Sequence, residues 1–150
     1  MNTKSLLRNT ELFAGLTDEE LDQVVRICQK RTYQQGEVIT SQGAPGDALY
    51  LVLDGFAEVI LVTPGDAADQ VIVHLGSGQV IGEMALIDKG PRSATVRANT
   101  TPTVIEVITQ DDFERLCEEN TRIGYLVMRN LAADLSFKLR HKNLTSQDGM

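Results

Sequence analysis

The sequence predicts an α+β fold, mainly β, in which one antiparallel sandwich, roll or barrel carries flanking helices. Three observations point to it. Nine of the twelve glycines lie between Gly36 and Gly90. Between Thr32 and Ile108 these glycines alternate with short, β-branched apolar runs at roughly even spacing, the pattern of many short antiparallel strands. On either side of that region apolar residues recur at three- and four-residue intervals, the helical period.

Each element has a local reason. Leu16-Thr-Asp-Glu-Glu-Leu21 is a helix start: Thr17 can cap, Glu20 can reach back to it, and Leu16 can staple against Leu21. Leu21, Val24, Val25 and Cys28 then share one helix face. The strand runs are Val38-Ile39, Leu49–Leu53, Ala57–Val62, Val71–Val73, Val80-Ile81, Ala94–Val96 and Thr103–Ile108. Thr63–Asp69, with Pro, Gly and Asp, is a hairpin loop. Thr109 can cap a short helix with Phe113, Leu116 and Cys117 inward. Asn120 opens a longer helix whose apolar positions Ile123, Val127, Leu131, Leu135 and Leu139 step by four, and the polar tail after Asn143 is expected to fray. That helix carries Arg122, Arg129, Lys138, Arg140 and Lys142 against the single acid Asp134. The face is read either as solvated or as sending one cation to a bound anion.

The chain has 150 residues, 42% of them hydrophobic, enough for one domain with a real core. A net charge of −7 argues against the backbone of DNA or RNA as main partner, because phosphate binding wants a basic footprint. No apolar run approaches the roughly 20 residues of a membrane span, and the N-terminus lacks a secretory core, so a cytoplasmic location is expected. Cys28 and Cys117, set in helical patterns, read as buried free thiols. His74 and His141 have no metal-ligand spacing around them, so no metal or cofactor is expected.

The stretch Gly82-Glu-Met-Ala-Leu-Ile-Asp-Lys-Gly-Pro-Arg-Ser-Ala-Thr-Val-Arg-Ala98 sets a few charges among small and apolar residues, Glu83 and Arg92 foremost. Gly82 lets the backbone come close to a ligand. Glu83–Leu86 forms a helical turn whose start would direct free N–H groups and the positive dipole end at an anion. Pro91 fixes the backbone before Arg92, whose planar guanidinium matches two phosphate oxygens. Glu83 is an acceptor only, suited to the hydroxyls of a ribose. An acceptor for a sugar and a fork for a phosphate describe a small nucleotide.

These residues resemble the phosphate-binding cassette of the cyclic nucleotide-binding domain family, which includes the catabolite activator protein, protein kinase A regulatory subunits and the cytoplasmic domains of cyclic-nucleotide-gated channels. Gly82-Glu83-Met84-Ala85-Leu86 and Pro91-Arg92-Ser93-Ala94-Thr95-Val96 carry the resemblance. Leu12-Phe13, Gly15-Leu16, Gly36–Ile39, Gln42-Gly43, Gly46-Asp47, Leu49–Val52, Gly55 and the long last helix extend it over about residues 11 to 142. The resemblance implies an eight-stranded antiparallel β-roll or jelly roll (double-stranded β-helix), with N-terminal helices, a short cassette helix and two C-terminal helices. The whole chain would be one domain, the roll at about 32–108 and the last helices at about 110–142.

The implied site follows residue by residue. Glu83 would accept the ribose 2′-hydroxyl beside the Gly82 backbone. Arg92 would clamp the exocyclic phosphate oxygens. The Ala85 N–H would donate to the same phosphate, as would the Ser93 N–H or hydroxyl. Met84 and Ala94 complete the cassette set. Ile72, Val73 and Ile81 are candidates to carry the base, and Lys138, Leu139 or Arg140 could close over it. Ile81 departs from the family, which often has an aromatic residue there. Ser93, without the methyl of threonine, points to cyclic AMP rather than cyclic GMP. A transcription factor of the family would add about sixty residues with a helix-turn-helix; this chain ends at Met150, and a stand-alone sensor is expected.

The residues also frame the alternatives. Glu83 and Arg92 could simply pair with each other on the surface, which would stabilise little. Enzymes of the cupin type share the roll but need clustered histidines, and no nucleophile–base pair stands out, so no catalysis is expected. A ligand-free dimerisation or partner module, and a sensor of another messenger such as cyclic di-GMP, stay open beside the main reading. That reading is a cyclic nucleotide sensor that reorders its last helix, dimerises through it and signals to an unidentified protein effector.

Overall fold

In the computed structural model, which describes residues 2–61 and 70–148, helices α1 (Thr3–Arg8) and α2 (Asp18–Ile27) lead into eight strands. These are β1 (Gln29–Tyr33), β2 (Val38–Thr40), β3 (Ala48–Asp54), β4 (Ala57–Leu61), β5 (Gln70–Leu75), β6 (Val80–Ile81), β7 (Thr95–Ala98) and β8 (Thr103–Thr109). Helices α3 (Gln110–Glu119) and α4 (Thr121–Asp148) close the chain. One 3₁₀ turn, Glu11–Phe13, separates α1 from α2, and another, Glu83–Leu86, follows β6. All pairings are antiparallel, in two four-stranded sheets ordered β1-β8-β3-β6 and β2-β7-β4-β5. This is the expected eight-stranded roll. The Thr63–Asp69 loop lies outside the described residues.

Strand β3 explains the two-layered core. Its run Ala48-Leu-Tyr-Leu-Val-Leu53 is buried throughout, and successive side chains point to opposite faces. Leu49, Leu51 and Leu53 join Leu6, Leu7, Phe13, Phe113, Ile123, Val127 and Leu131 beneath the helices. Ala48, Tyr50 and Val52 join Ile39, Ile81, Val96, Ile105 and Val107 between the sheets. A strand covered on both faces has no reason to alternate polar and apolar residues.

The helix starts are locally encoded. Thr17 Oγ1 accepts from the Glu20 N–H (3.2 Å) and Glu20 Oε1 accepts from the Thr17 N–H (2.9 Å), the reciprocal capping box. Thr109 caps α3 through the Asp112 N–H. Glu20, although buried, also receives Arg122 of α4, so the cap doubles as a tie between the two helical ends. Asn130 Nδ2 donates to the Leu12 and Ala14 carbonyls, at 3.0 and 2.9 Å, and fastens the N-terminal segment to the same helix.

Four expectations need correction. The roll starts at Gln29 rather than near Thr32, because β1 takes its order from pairing with β8 and not from an apolar pattern. Helix α4 runs on to Asp148 instead of fraying after Asn143. Its four-step stripe divides: Ile123, Val127 and Leu131 are buried, Leu135 is half-buried, and Leu139 is 61% exposed. A step of four exceeds the helical turn and rotates the stripe by about 40° each time. Finally, Cys28 and Cys117 are free but only half-buried. Burial pushes their thiols up, to about 12 and about 11.

Candidate functional site

Gly82 ends β6 in the left-handed region, φ +74°, and turns the chain into Glu83–Leu86. A Cβ on Gly82 would stand 1.8 Å from Arg92 Nη1 and 2.9 Å from its Cζ. Glycine is therefore needed twice, for the backbone angle and for the close approach of a guanidinium. The Arg92 backbone is strapped in place. Its N–H donates to the Ala44 carbonyl (2.8 Å), its carbonyl accepts from the Gly43 N–H (2.9 Å), and the Gly46 N–H donates to the Gly90 carbonyl (2.9 Å). Pro45 and Pro91 face each other across this strap.

The Arg92 side chain lies inside the roll wall. Nη2 donates to the Ala48 carbonyl, and Cζ sits 5.3 Å from the centre of the Tyr50 ring, a cation–π contact. Nε is buried and has no hydrogen-bond partner among the described residues. A buried guanidinium donor without an acceptor is costly unless something supplies one. An anion reaching this point would do so.

Glu83 does not pair with Arg92. Its Oε1 accepts from Lys138 Nζ at 3.0 Å, and the same ammonium reaches Asp134 Oδ2 at 2.9 Å. The Asp134 hydrogen bond foremost, with that of Glu83, holds Lys138 above the ordinary lysine value against the opposing effect of burial. Glu83, Asp134, Phe137 and Lys138 wall a cleft of about 1060 Å³ that also touches Leu75 and Thr10. Arg92 does not line that cleft; its guanidinium lies against Gly82, Tyr50 and the Ala48 carbonyl.

The remaining candidates differ in burial and in bonding. Ala85 is buried, and its N–H, expected to meet the phosphate, is instead bonded to the Gly82 carbonyl (3.0 Å) as the first hydrogen bond of the turn. The Glu83 and Met84 N–H groups come before the first donor of the turn, the Ala85 N–H, and have no intrahelical partner. Met84 is 46% exposed. Ser93 is exposed and Ala94 half-buried, between Arg92 and the start of β7. Of the base candidates, Val73 is exposed, and Ile81 is buried in the inter-sheet core and paired with Tyr50. Ile72 belongs to β5, but its side chain is outside the described ones. The three residues considered for the lid are all exposed, and of them Lys138 alone bonds the cassette. Sequence reasoning missed Tyr50, the Ala48 carbonyl and Asp134. Tyr50, the one aromatic in β3, was the only signal available.

Leu86 is buried in the helix-side cluster with Leu131 and Phe113, so the cassette turn is packed into the same core as α3 and α4. Among the described residues no helix is long and apolar enough to cross a membrane.

The family model described as the cyclic nucleotide-binding domain matches residues 30–120. The chain is 36% identical to the cyclic AMP receptor protein of Thermus thermophilus over 138 residues, 92% of this chain and 61% of that protein. The N-terminal domain of a transcriptional regulator from Streptomyces coelicolor superposes with a TM-score of 0.83 at 27% identity, covering 91% of this chain and 94% of that one. The regulatory domain of Toxoplasma gondii PKA, solved with cAMP, superposes with a TM-score of 0.73 at 25% identity, covering 89% of this chain and 48% of that one. The chain spans between about a fifth and three fifths of the length of the first curated relatives it matches.

Proposed function

The chain belongs to the cyclic nucleotide-binding domain family, and on that premise we propose that it is a cytoplasmic regulatory module that binds cyclic AMP in preference to cyclic GMP. The family is regulatory rather than catalytic. The observation that carries the proposal is the buried, unpartnered Nε of Arg92, in a seat that only glycine at position 82 permits. A cyclic phosphate supplies the missing acceptor. Glu83, Ser93 and the free N–H groups at the start of the Glu83–Leu86 turn complete the polar contacts, and Val73 offers an exposed apolar surface for the base.

The test is calorimetric titration with cyclic AMP, cyclic GMP and cyclic di-GMP. Cyclic AMP should bind about tenfold more tightly than cyclic GMP, the worth of one hydrogen bond to a base. Arg92→Ala should cost about 2–5 kcal/mol of binding, a desolvated charge partner lost, and Arg92→Lys should recover only part because a point charge cannot form the fork. Equal affinity of wild type and Arg92→Ala would sink the proposal, and tightest binding of cyclic di-GMP would reassign the ligand.

A second reading, a module that also pairs with its own copy, rests on α4. Tyr125, Met128, Ala132, Leu135 and Leu139 alternate three- and four-residue steps along one side of the helix. Tyr125 is 64% and Leu139 61% exposed. Met128 and Leu135 also pack partly on the core, so the exposed part of this seam, rather than the buried Val127–Leu131 stripe, is the surface for a homodimer. A ligand that shifts the outer half of α4 would alter the seam and pass the signal to a protein effector.

A further inference from the structure

We propose that Lys138 is a positioning residue of the ribose subsite: it reaches from α4 to hold Glu83 so that one carboxylate oxygen is presented to the 2′-hydroxyl. The inference rests on Glu83 as the ribose acceptor. Lys138 Nζ takes Glu83 Oε1 at 3.0 Å, across 55 residues of sequence, and leaves the second oxygen as an acceptor. Asp134, one helical turn earlier, bonds the same ammonium at 2.9 Å and aims it from below. The three groups form a chain in which α4 sets the orientation of a cassette residue. The cation has a further use. A cyclic phosphate brings a negative charge near a carboxylate, and Lys138 offsets the repulsion that Glu83 would otherwise add. Preference for a ribose over a deoxyribose then depends on α4 lying where it does. By the reciprocity of linkage, a ligand with a 2′-hydroxyl favours that docked position.

The experiment compares cyclic AMP with 2′-deoxy cyclic AMP on the wild-type chain, Lys138→Met and Lys138→Arg, by calorimetry, with thermal unfolding as the check on the fold. Lys138→Met keeps the length and the helical propensity while removing the charge. Its affinity for cyclic AMP should fall by about three- to tenfold, with a smaller loss for the 2′-deoxy ligand, so the ratio between the two ligands moves toward one. Lys138→Arg should restore most of the ratio. An unchanged ratio in Lys138→Met overturns the inference even if both affinities drop, since that is what a merely structural lysine would do. Tighter binding of cyclic AMP by Lys138→Met also overturns it, by making the lysine a competitor of the ribose. A wild type that binds cyclic AMP without preferring it over the deoxy ligand removes the Glu83 role and this inference together, while leaving the Arg92 seat standing. A wild type that binds no cyclic nucleotide overturns the functional reading as a whole.

Discussion

Gly82→Ala separates the two jobs of the glycine. Its φ of +74° lies in the left-handed region, where an alanine costs about 1–2 kcal/mol. For a domain of this size that lowers Tm by roughly 2–8 °C. The new methyl would also stand 1.8 Å from Arg92 Nη1. That atom is the far end of a flexible side chain, so the clash is relieved by moving the guanidinium and adds little to the folding cost. It adds much to the binding cost, because Arg92 leaves its place between Gly82 and the Ala48 carbonyl. The displaced fork should lose at least about 2 kcal/mol of affinity, roughly thirtyfold. Gly36→Ala is the control: its φ is +91° and nothing lies within 4 Å of the added Cβ. The two variants should therefore melt alike and bind differently. Calorimetric titration with cyclic AMP and thermal unfolding of both give the comparison. A Gly82→Ala protein that binds like Gly36→Ala would refute the seat and with it the reason for a glycine at that position.

The other expectations are shorter. Glu83→Gln should bind cyclic AMP more weakly and lose most of the preference over 2′-deoxy cyclic AMP, since a neutral amide is a poorer acceptor; titration of the pair decides it. Leu139→Glu should turn a dimer into a monomer in sedimentation, because it puts a charge into an exposed apolar seam without touching the core; a wild type that stays monomeric at high concentration, with and without nucleotide, removes the seam. The thiols should react slowly with an aromatic disulfide reagent at pH 8, Cys117 ahead of Cys28, because only the thiolate attacks and burial raises the two to about 11 and about 12. The same shifts set an alkaline limit. The folded thiols titrate above the ordinary thiol value of 9.0, so their contribution to stability is whole below pH 9.0 and fades as pH rises toward about 11 and then about 12. Substitution of both cysteines by alanine should flatten the fall in stability over that window.

What the sequence by itself determined is what depends on near neighbours. The capping box at Thr17 and Glu20, the cap at Thr109, the glycine-punctuated runs and the spacing from Gly82-Glu83 to Arg92 were all legible, since each is closed within a few residues or within one recognisable motif. The resemblance implied N-terminal helices, but no local pattern placed short α1, although Leu6 and Leu7 are wholly buried, because a six-residue helix depends on packing against the rest. Strand β1 reads Gln-Lys-Arg-Thr-Tyr and carries no apolar signal; its hydrogen bonds to β8, more than seventy residues on, make it a strand. The site divides in the same way. Its two signature charges were visible in order, but not that they face different partners. That Arg92 rests on Gly82, Tyr50 and the Ala48 carbonyl, and that Lys138 rather than Arg92 holds Glu83, follows only once β3, β6 and α4 have been brought together. Side chains choose partners by distance in space. Chain order sets that distance within a turn or a cap, and tertiary packing sets it everywhere else.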